Sequence, residues 1–363
     1  ERSKMATTEE LQARYTLQPV HQVELDRQLH CARFSPCGKY LIGGDFDAKV
    51  RRFAVEGEEP FQELPPLDGH NGWLQPIEFA PEGGLMLTAD SWGRISAWSY
   101  DAEQPPLKWS NESAHDGWVR MLSISSDGKR LASCGLDKTV RVWNTADGKL
   151  QQELTGHEHD VRSVQFHPDG KILVSGDLHG IINKWDVDKG ECVGEIDAGA
   201  LFLYDRLQDV GGVWCLRFDR EGETLAAAGV KPDRGATVQG VPTTLLFDFQ
   251  SGELLHTLQM GTSKDCYAHD LLLHDDGFVV AATSGTPGVG QILFHKPGDE
   301  KPFFTTNKYP NCHSVSLHPD GKRLAVVATN KGSNGNGRKL NAEGEYEGNN
   351  SPVHIFELNA AAP

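Results

Sequence analysis

No apolar run in this chain approaches the roughly 18 residues needed to span a bilayer, which excludes a membrane-crossing helix as the organising element. Positive charge is also scarce. Thirty-five Lys and Arg stand against 51 Asp and Glu, a formal net charge of −16. That balance excludes a protein whose main task is neutralising nucleic-acid phosphates, and it repels an anionic membrane surface. Cysteines number seven, and none forms a CxxC pair. An odd count in a chain too large to need stapling reads as reduced, mostly buried small residues of a reducing compartment. Nothing resembles a secretory apolar region, so the expected setting is the cytoplasm. What the sequence has in quantity is turn material: 39 Gly and 19 Pro among 363 residues, the composition of many short strands joined tightly.

One stretch, residues 157–187, shows how those turns are used. It holds three apolar runs, at 161–166, 172–175 and 181–187, each of strand length and none long enough for a helix. Pro168-Asp169-Gly170 separates the first two, and residues 176–180 separate the second pair. Pro presets φ, Asp bonds its own backbone, and Gly supplies positive φ. A fourth strand at 192–198 follows Asp188-Lys189-Gly190. The unit reads as a four-stranded antiparallel meander.

The first turn recurs seven times, ending at Gly38, Gly83, Gly128, Gly170, Gly222, Gly277 and Gly321, with separations of 45, 45, 42, 52, 55 and 44 residues. Self-similarity at that period means an array of one supersecondary unit. No unit buries both faces of its sheet alone, so each must stack on the next. Residues 20–26 look like the outer strand of a unit, while the seventh unit stops after its third strand at 353–358. The two ends therefore complete each other and close the array into a ring without exposed edges. Residues 1–16 are expected as a flexible tail, although Thr7 and Glu10 stand at capping-box spacing. The fold class is all-β: one seven-bladed β-propeller over 17–359, with blades at about 27–67, 68–114, 115–156, 157–198, 199–260, 261–308 and 309–358.

These units resemble WD40 repeats. Residues 154–157, Leu-Thr-Gly-His, through Trp185-Asp186 are similar to that family's Gly-His to Trp-Asp span. The resemblance implies a buried His–Ser/Thr–Asp–Trp hydrogen-bond tetrad. In the third unit it falls on His115, Ser133, Asp137 and Trp143. The second keeps His70, Thr88 and Trp98 with Trp92 in the Asp place; the fourth keeps His157, Ser175 and Trp185 with His179 there. The first retains only Asp47, and the last three units have lost the motif. These polar residues are expected to be structural rather than catalytic.

The resemblance also assigns loops to faces. The long insertions, at 199–212, 230–241, 284–290 and 330–350, all fall on the face called the top, and extra length of this kind is uncommon without a use. The last is Gly/Asn-rich and reads as a mobile flap. At the channel mouth on that face stand Trp73, Trp118, Arg120, Arg162, Trp214 and Tyr267, side chains of the kind that dominate binding hot spots. Trp92, Phe202 and Tyr204 join them as candidate partner-binding residues. The leading expectation is an interaction module that binds a protein or peptide, without cofactor, as a monomer or a subunit of a complex. The competing reading is a small-molecule-binding or metal-dependent enzyme with a top pocket near His30, His269 and His313, three imidazoles in neighbouring units once the ring closes. A third is a scaffold binding through its outer blade edges. No Ser-His-Asp arrangement, paired carboxylates or phosphate-cradling Gly loop supports a particular reaction.

Overall fold

A computed structural model describes residues 6–25, 27–205, 207–233, 239–265, 267–285, 289–329, 339–340, 346–347 and 351–359. Seven four-stranded antiparallel sheets form a propeller ring. Blades 1 to 6 each take four successive strands, beginning with Leu29–Phe34, Leu74–Phe79, Val119–Ile124, Val161–Phe166, Val213–Phe218 and Tyr267–His274. The Gly ending each of the seven repeat turns has φ between 70° and 82°, the conformation that closes the turn and that side chains with a Cβ disfavour.

The core is divided by the ring. Seven apolar clusters sit one at each blade–blade interface. Between blades 3 and 4, for example, Ala132, Val140 and Val142 meet Val161, Val164, Phe166, Leu173 and Trp185. Between blades 7 and 1, Ala325, Val327, Val353 and Ile355 meet Leu29, Phe34, Leu41 and Phe53. Among the described residues that last interface buries an apolar cluster as the other six do, so the closing seam is packed like the rest.

Blade 7 is completed as the terminal patterns require. Its order is Thr16–Val23, Val353–Asn359, Arg323–Val327, Ser314–Leu317, with Thr16 opposite Asn359 and Val23 opposite Val353. The closing strand lies about four residues earlier than the expected 20–26, and Asp26 lies outside the described residues. The reason is physical. An outer strand is exposed on both faces, with only Val23 buried, so it carries no two-residue apolar alternation from which a register can be read. Pro19 is tolerated there because an edge strand leaves some N–H groups without ladder partners.

The segment expected to be a tail contains a helix, Thr8–Arg14. Its capping box is complete: the Thr7 hydroxyl accepts from Glu10 N, and Glu10 Oε2 accepts from Thr7 N at 2.7 Å. Leu11 is fully buried in the cluster between blades 6 and 7. Thr8 Oγ1 donates to Asp299 at 2.7 Å, and Arg14 pairs with Asp276 at 2.6 Å, so the helix ties the closing strand to blade 6.

In two of the four insertions the described residues form β-structure. Residues 199–212 form a 3-10 turn and a hairpin, Phe202–Asp205 with Gln208–Gly211. The 230–241 insertion continues blade 5, where Thr224–Asp233 pairs with Gln239–Asp248 through Asp233 opposite Gln239. In the third, residues 286–288 lie outside the described part. Most of 330–350 does too, so the expected flap falls largely beyond description; within it Lys339–Leu340 pairs with Tyr346–Glu347.

Candidate interaction site

The top face is built on the buried hydrogen-bond chains beneath it. In blade 3 Trp143 Nε1 donates to Ser133 Oγ (2.8 Å), the hydroxyl meets His115 Nε2 (2.7 Å), and His115 Nδ1 meets Asp137 (2.9 Å). Blades 2 and 4 carry the same chain with a different acid. His70 Nδ1 meets Asp90 at 3.0 Å, and His157 Nδ1 meets Asp177 at 3.0 Å. Since a carboxylate only accepts, Nδ1 of each ring carries the proton and Nε2 accepts the Thr or Ser hydroxyl. The acid therefore comes from the end of the second strand, two residues before the place occupied by Trp92 and His179. Asp45 holds the same position in blade 1. It accepts from Asp47 N, Lys49 N and Arg51 Nε, whereas Asp47 pairs with exposed Arg27. Each of these aspartates also staples the turn that follows: Asp90 accepts from Trp92 N and Arg94 N, Asp177 from His179 N and Ile181 N.

Moving the acid back by two residues releases the turn side chain. Trp92 is 70% exposed. It borders an open depression of about 590 Å³ lined by Phe46, Asp47, Asn71, Trp73, Ser91, Trp92 and Trp118. Trp73 is 46% exposed, with its ring centroid 5.9 Å from Trp118 and 4.9 Å from Phe46. Trp118 is half-buried beneath the Arg120 guanidinium, which lies 4.0 Å from its ring. Burial, then Arg162 nearby, lowers Arg120 to about 10, still charged at neutral pH.

Across the mouth a second group converges. Trp214 lies 5.4 Å from Tyr267 and 5.8 Å from His269, with the Arg162 guanidinium 4.6 Å from its ring. His269 and His313 are 5.6 Å apart, edge to face, and His30 stacks on Phe46 at 3.9 Å. Burial above all pushes His30 and His313 down to about 3 and His269 to about 4, so all three are neutral near pH 7. Buried nitrogens without a hydrogen-bond partner point into this rim: Nε2 of His30 and His313, Nε1 of Trp118, and Nε of Arg120 and Arg162. Ligand atoms of His30, His269 and His313 are not brought within metal-sharing distance. Among the described residues that spacing is met by His159, His179 and Asp209.

Phe202 packs down, its ring 4.0 Å from His179, while Tyr204 (58%) and Leu207 (87%) remain exposed on the hairpin. Sequence reading missed the charges lower in the channel. Asp270, buried, accepts Arg33 at 2.8 Å, Arg217 at 3.2 Å and Val315 N at 3.1 Å. Glu78 is half-buried there, and desolvation raises its carboxyl despite Arg217 and Arg33. These residues alternate with apolar ones along inner strands, a pattern shared by any solvated strand face.

The family profile described as WD domain, G-beta repeat matches residues 109–144 and 148–186, which run from the last strand of blade 2 to the third of blade 4. The chain carries WD40 repeats within a seven-bladed β-propeller. Over 79 residues it is 33% identical to the nuclear distribution protein nudF 1 of Talaromyces marneffei, a match covering 22% of this chain and 17% of that protein. The WD40 propeller is typically a protein-interaction scaffold. No helix among the described residues is long and apolar enough to cross a membrane.

Proposed function

We propose that this propeller is an interaction module whose top face captures a peptide segment of a protein partner, with Trp73, Trp92 and Trp118 as anchors and the rim of Arg120, Arg162, Trp214 and Tyr267 completing the surface. The observation that carries the reading is Trp92. A side chain in an equivalent turn of blade 3 is committed to the buried network, and here its place holds an indole with 70% exposure beside an aromatic-lined depression. Large aromatic side chains offer much contact area for few frozen rotors. Polar atoms without partners just below them suit the amides of an extended peptide. Tyr204 and Phe202 extend the face toward blade 5. Net charge of −16 supports a protein partner over nucleic acid or an anionic membrane, and the free cysteines support a cytoplasmic setting, alone or within a complex.

The reading is tested by selecting peptides from a random displayed library on the immobilised propeller. Selection on the wild type is expected to converge on a consensus that the Trp73→Ala and Trp92→Ala proteins fail to enrich. A consensus enriched equally by those variants would move binding off this face.

A further inference from the structure

The hairpin of blade 5 brings a second kind of chemistry to the top face, away from the tryptophans. His159 lies just before the first strand of blade 4, Val161–Phe166, and His179 lies in the turn after its second strand. Asp177 has taken over the carboxylate role of that turn, so the His179 ring is free to leave the blade. The two imidazoles stack with centroids 3.3 Å apart and planes 12° apart. Phe202 covers the other face of His179, 4.0 Å away. Asp209, on the return strand of the hairpin, places Oδ1 3.4 Å from His179 Nε2. That nitrogen is buried and has no hydrogen-bond partner, because Asp209 approaches outside hydrogen-bond geometry. One ligand atom from each of the three residues lies within 4.8 Å of the others.

We propose that His159, His179 and Asp209 form a site for a divalent transition metal of the zinc class. Two imidazole nitrogens and one carboxylate oxygen are the donor set that zinc, copper or nickel prefers, whereas calcium and magnesium want an all-oxygen shell. Ligands on tetrahedral zinc, with bonds of about 2.0–2.1 Å, stand roughly 3.3 Å apart, against ligand atoms here within 4.8 Å of one another, so binding requires the stacked imidazoles to turn out of their near-parallel planes toward a common point. A hydrogen bond explains the cluster less well. It leaves Nε2 unsatisfied and holds two imidazoles face to face with no shared partner. The metal has a structural consequence, since the histidines belong to blade 4 and the aspartate to the hairpin. Binding would clamp the hairpin that carries exposed Tyr204 and Leu207 against the neighbouring blade.

The test uses the full chain without a polyhistidine tag and zinc chloride as the probe, titrated calorimetrically in a non-chelating buffer. One equivalent of zinc per chain is expected, weakened by roughly tenfold or more in His179→Gln and His159→Gln. Zinc should also slow amide exchange over 202–211 in the wild type and leave it unchanged in Asp209→Asn, a substitution on the exposed hairpin that leaves blade 4 intact. Sub-stoichiometric zinc, or equal affinity in wild type and all three variants, overturns the site and reduces the cluster to a ring stack. Peptide selection on the tryptophan face is read separately, so failure of either proposal leaves the other standing.

Discussion

Asp90 accepts the Nδ1 proton of His70 at 3.0 Å from two residues ahead of the turn position that Asp137 fills in blade 3. That displacement keeps the buried chain intact while exposing the turn residue, and the two effects separate in mutants. Asp90→Ala and Asp177→Ala each leave a buried imidazole N–H without an acceptor and are expected to cost about 1–3 kcal/mol. Trp92→Ala, at an exposed position, is expected to stay within about 0.5 kcal/mol of wild type. Urea unfolding of the three variants checks the contrast.

Acid sensitivity should begin at the channel mouth. His30, His269 and His313 sit at about 3, 4 and 3 against an ordinary 6.5, chiefly through burial. Because the folded values lie below the unfolded one, the unfolded chain binds more protons between them. Stability is therefore complete above pH 6.5 and falls as pH drops toward 4, by ~1.4 kcal/mol per pH unit for each group. Urea midpoints at pH 7.5, 6 and 5 should show the decline, with a shallower slope in His313→Gln.

Asp270 is the shared acceptor of two arginines from blades 1 and 5. Removing it in Asp270→Ala leaves both guanidiniums in the channel without their carboxylate, an expected loss of about 3–5 kcal/mol. Differential scanning calorimetry reads this as a large drop in Tm, against a small one for Asp47→Ala on the surface.

Ring closure makes its own prediction. Deleting residues 1–23 removes Leu11 from the cluster between blades 6 and 7 and strips the outer strand from Val353–Asn359. An unpaired edge is a template for other chains. Light scattering after size exclusion should find the truncated protein associated and the intact chain free of that association.

The blade repeat was legible because turn residues are chemically demanding: only Gly meets positive φ cheaply, and it recurs at seven equivalent places. Core strands were legible for the same kind of reason, since burial on both faces forces apolar runs. Elements at the rim were not. Thr16–Val23 carries no alternation to fix its register, and the capping box at Thr7 announced a helix whose docking depends on Leu11 finding a distant cluster. Similarly, the acids at 90 and 177 hid behind a spacing rule. Either of two positions in the turn reaches the histidine, and spacing alone does not say which. The cluster of His159, His179 and Asp209 depends on a hairpin fold that brings residue 209 over residue 179, a contact without a local signature.

The most direct test of the account is to measure, on one preparation of Trp92→Ala, both its Tm and its affinity for a peptide selected on the wild-type propeller. The account predicts a Tm within about 1 °C of wild type, as an exposed substitution should give, together with an affinity at least about tenfold weaker. Unchanged affinity, or a loss of affinity that tracks a loss of Tm, would contradict it.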